Sequence, residues 1–243
     1  MQHVHYAVVH MIQALQQRGD VDLEELAALE YQYLPMLELQ AEPTALNRLL
    51  GKSPELFVSV VCDAFSPASG ETGEITDDRR TRARHAYQLL QSLKTVPGFS
   101  SGAEDVNHLR SWISSVRTLA KQADRAVITD QQIGQILAYA PSDVEDGAWP
   151  AKPIRDLIEE LAAKQIETGI ALSRFNQRGA FSKALYDGGK QERALANQYR
   201  FWANAVRKWP RTSALLQHIA DDWDQYAARA DSEAELDQLR HTP

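Results

Sequence analysis

Apolar residues recur at helical spacing along nearly the whole chain. His5, Val8, Val9, Ile12 and Leu15 mark a first helix that starts abruptly, with no cap before it. Leu23, Leu26, Ala27 and Glu30 through Leu34 continue a stripe behind Asp20 or Asp22, either of which suits an N-cap, and Pro35 breaks or kinks that helix. Ser53-Pro54, a cap followed by proline at the first helical position, opens a helix from Glu55 to Phe65. Val58, Val60 and Val61 have strand-like content. Leu56, Val60 and Ala64 nevertheless repeat at four, as do Phe57, Val61 and Phe65, and the period predicts helix. A loop over 66–78, rich in Gly, Ser, Thr and acid, precedes a helix from about Arg79 to Lys94 that turns Ala83, Ala86, Tyr87, Leu90 and Leu93 inward.

Pro97-Gly98 ends that helix, and Ser100 to Asp105 forms a loop before a helix from Val106 to Gln122 with Leu109, Ile113, Val116 and Leu119 on its core face. Thr129 is placed as the cap of a short helix holding Ile133, Ile136 and Leu137, which Pro141 stops. After a proline- and acid-rich connection over 141–153, Ile154, Leu157, Ile158, Leu161 and Ile166 predict one helix from Ile154 to Leu172. Two long helices, Gly189–Lys208 and Thr212–Leu239, close the chain on either side of Trp209-Pro210-Arg211. Asp146-Gly147 and Asp187-Gly188 lie between helical patterns, so neither signals a hairpin. The expected class is all-α: a multi-helix array of antiparallel helix pairs, solenoid-like or an irregular bundle. The turn at Pro97 suggests subdomains over 1–96 and 97–243, or one continuous helical domain.

Composition narrows the class further. With 44% hydrophobic and 24% charged residues the chain is globular rather than disordered. No apolar run reaches the about 18–20 residues that span a bilayer, and the N-terminus lacks the layout of a secretion signal, which predicts a cytoplasmic protein without membrane contact. The single cysteine, Cys62, excludes an internal disulfide framework and reads as a core thiol. The net charge of −7 is unevenly spread: −9 over 1–172, +7 over 173–211 and −5 over 212–243. Such asymmetry marks either an interaction surface or a basic helix packed on an acidic one.

Several patterns fall short of a chemical site. Leu50-Gly51-Lys52-Ser53 resembles the tail of a phosphate-binding loop, but Leu46 stands where that loop needs glycine, so Gly51 reads as a helix C-cap. His3, His5 and His10 have no metal-ligand spacing, and no metal or cofactor is expected. Glu159/Glu160 and Asp221/Asp222 are adjacent, so on a helix they diverge and read as solvated faces. Asp130 to Ala140 has a helix-turn-helix flavour, but the connection after it is too long and too acidic for a major-groove reader.

The basic segment carries the sharpest chemistry. Arg174, Asn176, Arg178, Lys183, Lys190, Gln191 and Arg193 form a candidate interaction or anion-binding set. Gly188-Gly189 before a helix could aim free N–H groups at an anion. Phe175, Phe181, Tyr186, Tyr199, Phe201, Trp202 and Trp209 are interleaved with the cations, as in binders of single-stranded nucleic acid. The competing expectation is that the aromatics fill a helical core and that Arg178 and Arg193 pair with Glu192, Asp187 or the acidic last helix.

Asp146-Gly147-Ala148-Trp149-Pro150, Asn176-Gln177-Arg178-Gly179, Gly188-Gly189-Lys190-Gln191-Glu192-Arg193 and Tyr199-Arg200-Phe201-Trp202-Ala203 resemble a set near the C-terminus of large, uncharacterised bacterial proteins. Leu29 to Leu34 and Asp130 to Gly134 are similar to earlier portions of the same group; Asp187 departs from it, where Glu is expected. The resemblance implies a C-terminal helical region whose enzymatic or sensing part, if any, lies upstream, and it carries no established catalytic residues; the helical architecture alone suggests a role in bacterial defence or a large signalling assembly. The leading expectation is therefore a non-catalytic interaction or scaffold module, not an enzyme, whose partner is another protein or the upstream region of the same polypeptide. The alternative is a module binding nucleic acid or polyphosphate through 173–211. An enzyme built on Asn176, Arg178, Gln191, Glu192 and Arg193 ranks last, because no nucleophile or metal partner accompanies them.

Overall fold

A computed structural model of the chain describes residues 2–37, 40–70, 73, 76–100, 103–179 and 187–241. The protein is all-α. A two-residue antiparallel pair, β1 (Phe99–Ser100) with β2 (Ala103–Glu104), is too short to alter that class. Among the described residues no helix is long and apolar enough to cross a membrane. The chain forms two compact units, 1–139 and 140–243.

In the first unit Asp22 caps α2 (Leu23–Gln32) by accepting from the Glu24 and Glu25 amides at 2.9 and 3.1 Å, while Asp20 pairs with Arg18 instead. Pro35 does end that stripe, in a single turn, α3 (Leu34–Leu37). Leu37 joins Val9 and Ile12 of α1 (Gln2–Gln16) in one core cluster. A helix that the periodicity did not predict, α4 (Thr44–Lys52), follows, and Gly51 lies within it rather than capping it. Ser53 is both the end of α4 and the side-chain cap of α5 (Pro54–Ala64).

Nothing in the local sequence caps α4, since Pro43 occupies the N-cap position. The cap comes from α2: the fully buried Glu30 carboxylate accepts from the Ala45 amide (3.1 Å), the Leu46 amide (2.8 Å) and Gln16 Nε2 (2.7 Å). A buried carboxylate is tolerated where both oxygens are answered, and the positive helix end adds to the balance. Glu30→Ala is expected to cost about 2–4 kcal/mol, because it orphans two buried amides as well as removing a charged acceptor. Urea unfolding measures this, and Glu30→Gln should lose less.

Helix α5 packs against both α6 (Asp77–Ser92) and α7 (Val106–Gln122). Phe57 meets Trp112 edge to face at 4.9 Å, and Trp112 Nε1 donates to the Leu50 carbonyl at 3.0 Å. These contacts cross residue 97, so the boundary expected there lies inside the first unit, which runs on through α8 (Ala126–Leu137). Three inward expectations move: Ala83, Tyr87 and Leu119 give way in the core to Leu89 and to Trp112 with Ala120. Thr129 lies buried inside α8 and does not cap it. Cys62 is half-buried rather than core, and burial pushes its thiol pKa up.

In the second unit the helix expected over 154–172 is two, α9 (Lys152–Leu161) and α10 (Lys164–Asn176), separated at Ala162, whose φ is +45°. The left-handed alanine costs about 1–2 kcal/mol. The break lets two carboxylates meet one place. Glu159 accepts from the Arg211 amide (3.1 Å), the Thr212 amide (2.8 Å) and the Thr212 hydroxyl (3.0 Å), while Glu167 takes the Arg211 guanidinium at 2.6 Å. Glu159 is thus the N-cap anion of α12 (Pro210–His241), not part of a solvated face. Helices α11 (Lys190–Ala205) and α12 form an antiparallel hairpin.

Candidate functional site

The basic segment spans the end of α10, all of α11 and the start of α12. Arg174, in the last turn of α10, lies 4.5 Å above the Trp149 ring and donates from Nε to the Tyr199 hydroxyl at 2.9 Å. Burial pushes the Tyr199 phenol pKa up. Arg178 pairs with the buried Glu192 at 2.7 Å, reaches Gln191 Oε1 at 3.2 Å and sits 5.2 Å above the Trp223 ring. Arg193 forks onto Asp231, with Nη2 3.1 Å from Oδ1, and Arg200 pairs with Asp224 and lies 3.7 Å from Asp221. Asn176 and Lys190 are exposed; Lys183 lies outside the described residues.

The charge blocks seen along the chain therefore meet in part: Arg193 and Arg200 pair with acids of the last helix and Arg211 with Glu167 of α10, while Arg178 finds Glu192 within the segment itself. Gly188-Gly189 does present an amide to an anion, and the chain supplies that anion itself. Asp231 Oδ1 accepts from Gly189 N at 2.8 Å. The aromatics follow the same logic. Phe175 stacks on Trp223 at 4.6 Å, Tyr199 meets Trp202 at 5.3 Å, and Trp209 Nε1 donates to Asp156 at 2.6 Å. Phe201 is the large exception, 63% exposed on α11; Phe181 and Tyr186 lie outside the described residues.

The proline-rich connection before α9 is an ordered hydrogen-bonded loop. Asp143 accepts from the Glu145, Asp146 and Lys152 amides at 3.0, 3.3 and 2.9 Å. Asp146 receives the Arg155 guanidinium at 2.6 and 2.8 Å, which lowers its pKa to about 2. A carboxyl held below its unfolded value stabilises the fold at every pH above about 4 and loses that contribution as pH falls toward 2. We expect a loss of about 1–2 kcal/mol between those limits, the side chain's 32% exposure discounting the full shift, and Asp146→Asn should flatten that part of a pH–stability curve.

Periodicity gave no hint of a groove between α10 and α12. These helices run side by side in the same direction, joined by Glu167–Arg211 near their starts and by Phe175 against Trp223 and Tyr226 farther along. An open cavity of about 830 Å³ runs along them, with Leu172, Phe175, Leu215 and Tyr226 in its lining. Leu172 is 50% and Tyr226 42% exposed. Such exposure at an outward helix position is the one sequence-level signal, and it needs the helix boundaries to be read.

Among the described residues no three His, Cys, Asp or Glu side chains are grouped to hold a metal ion, and His10 instead packs on Tyr6 at 4.0 Å. The chain matches no family model, no curated protein and no solved structure.

Proposed function

We propose that the protein is a non-catalytic helical interaction module, acting in the cytoplasm as the C-terminal part of a larger bacterial protein. Its partner is another protein or the upstream part of the same polypeptide. The groove between α10 and α12 carries this reading: an apolar trough with half-exposed Leu172 and Tyr226 is the kind of surface that helical partners cover. The cations that favoured a nucleic-acid or polyphosphate module argue the other way. Arg178, Arg193 and Arg200 each hold a carboxylate of the same chain, and a neutralised guanidinium has little left to offer a phosphate. Titration of single-stranded DNA and RNA at ~50 and ~200 mM salt separates the readings, since phosphate-driven affinity falls steeply over that range. We expect no salt-steep binding. Tight, salt-steep binding abolished by Arg178→Glu together with Lys190→Glu would install the nucleic-acid module in its place.

A further inference from the structure

Resting on that reading, we infer that the groove along α10 and α12 takes one class of ligand: an amphipathic helix of a protein partner, apolar along its middle and acidic at both ends. Two helices running side by side leave a trough into which a third can pack ridge into groove. Ala171, Leu172, Phe175, Ala214, Leu215 and Tyr226 give that trough its apolar lining.

The charges along the groove select the rest. Arg211 is taken up by Glu167 at 2.6 Å. Asp222, with His218 Nε2 at 3.8 Å, stands near the middle and repels a second acid there. The cations at the two ends differ: Lys164, in the first turn of α10, and Arg229, laid 5.3 Å above the Tyr226 ring, form no ion pair with a carboxylate among the described residues. From Arg211 to Arg229 the α12 wall is about 27 Å long at 1.5 Å per residue, the length of a partner helix of roughly five turns. Acids at both ends of such a helix fall opposite Lys164 and Arg229, and its apolar residues at i, i+3, i+4 and i+7 face Leu172 and Tyr226.

The test is a displayed library of helical peptides, each about five turns long and built from Leu, Ala, Glu and Lys, sorted against the full chain. Three comparison proteins are sorted alongside it: Leu172→Glu, Ala214→Glu, and Lys164→Glu with Arg229→Glu. All four positions are exposed, and circular dichroism confirms that each variant folds. We expect selected peptides to carry Glu at both ends, to lose binding to Leu172→Glu and Ala214→Glu, and to weaken about tenfold on the double charge reversal, which should instead prefer Lys-ended peptides. Peptides that need Leu172 and Ala214 but show no preference at their ends would overturn the acidic-ended ligand alone. Enrichment insensitive to Leu172→Glu and Ala214→Glu, or no enrichment, would overturn the groove reading beneath it.

Discussion

Gly189→Ala is expected to destabilise the second unit by about 3–5 kcal/mol, far more than helix propensity alone would suggest for a glycine replaced at a helix start. A Cβ on Gly189 would lie 2.2 Å from the Ala227 carbonyl oxygen and 2.4 Å from its Cα. Both atoms are backbone of α12, so no rotamer change relieves the clash and the start of α11 must back away. That movement breaks the Gly189–Asp231 bond, loosens the Arg193 fork and opens the seam where Ala196, Tyr199 and Ala203 face Ala220, Trp223 and Ala227. Gly179→Ala is the control. Its φ of +65° is left-handed, unlike the −87° of Gly189, but nothing lies within 4 Å of the added carbon, so about 1 kcal/mol of backbone strain is expected. Urea unfolding followed by tryptophan fluorescence compares the two. Equal losses would mean that the close approach of α11 to α12 contributes nothing.

That glycine shows where sequence reading succeeds and where it stops. Gly188-Gly189 before a helix pointed to an anion, and an anion is there; the residue supplying it, Asp231, stands 42 positions away. Helix type was legible almost throughout because period and caps are local: Ser53-Pro54, Asp22 and the long α11 and α12 patterns all correspond to observed elements. What misled were ends fixed from a distance. The start of helix α4 went unseen because its cap is Glu30 of another helix. The break at Ala162 has no glycine or proline to announce it, and the convergence of Glu159 and Glu167 on Arg211 holds it in place. The basic segment invited a ligand for the same reason. Its charge was visible along the chain, whereas the acids that meet it belong largely to other elements, as Arg193 and Arg211 illustrate with Asp231 and Glu167.

Arg155→Met should cost as much as the glycine exchange, about 3–5 kcal/mol, through the opposite fault of deleting a partner instead of adding an atom. Arg155 is 0% exposed, a burial that a guanidinium withstands only when its donors are met. Here Nε donates to the Pro150 carbonyl at 2.5 Å, Nη1 to Asp146 at 2.6 Å, and Nη2 to Asp146 and the Ala148 carbonyl at 2.8 and 2.7 Å, with the Trp209 ring 5.0 Å away. Methionine fills part of the volume but leaves two carbonyls and a carboxylate turned toward an apolar side chain. Asp146 is partly exposed and can recover water, and the Ala148 carbonyl keeps the Asp143 amide at 3.0 Å, whereas the Pro150 carbonyl is held by the loop and loses its donor, so the carbonyls, Pro150 above all, bear most of the cost. Arg155→Lys keeps the charge without the planar fork and should fall between wild type and methionine. If the carboxylate matters less than the carbonyls, adding Asp146→Asn to Arg155→Met will recover little stability. Near-full recovery in that double mutant would instead make the ion pair the dominant contact. Hydrogen exchange reports the local consequence: the Lys152 amide, held by Asp143 at 2.9 Å, should lose protection in Arg155→Met before the unit unfolds, because the loop that positions Asp143 is wrapped on the missing guanidinium.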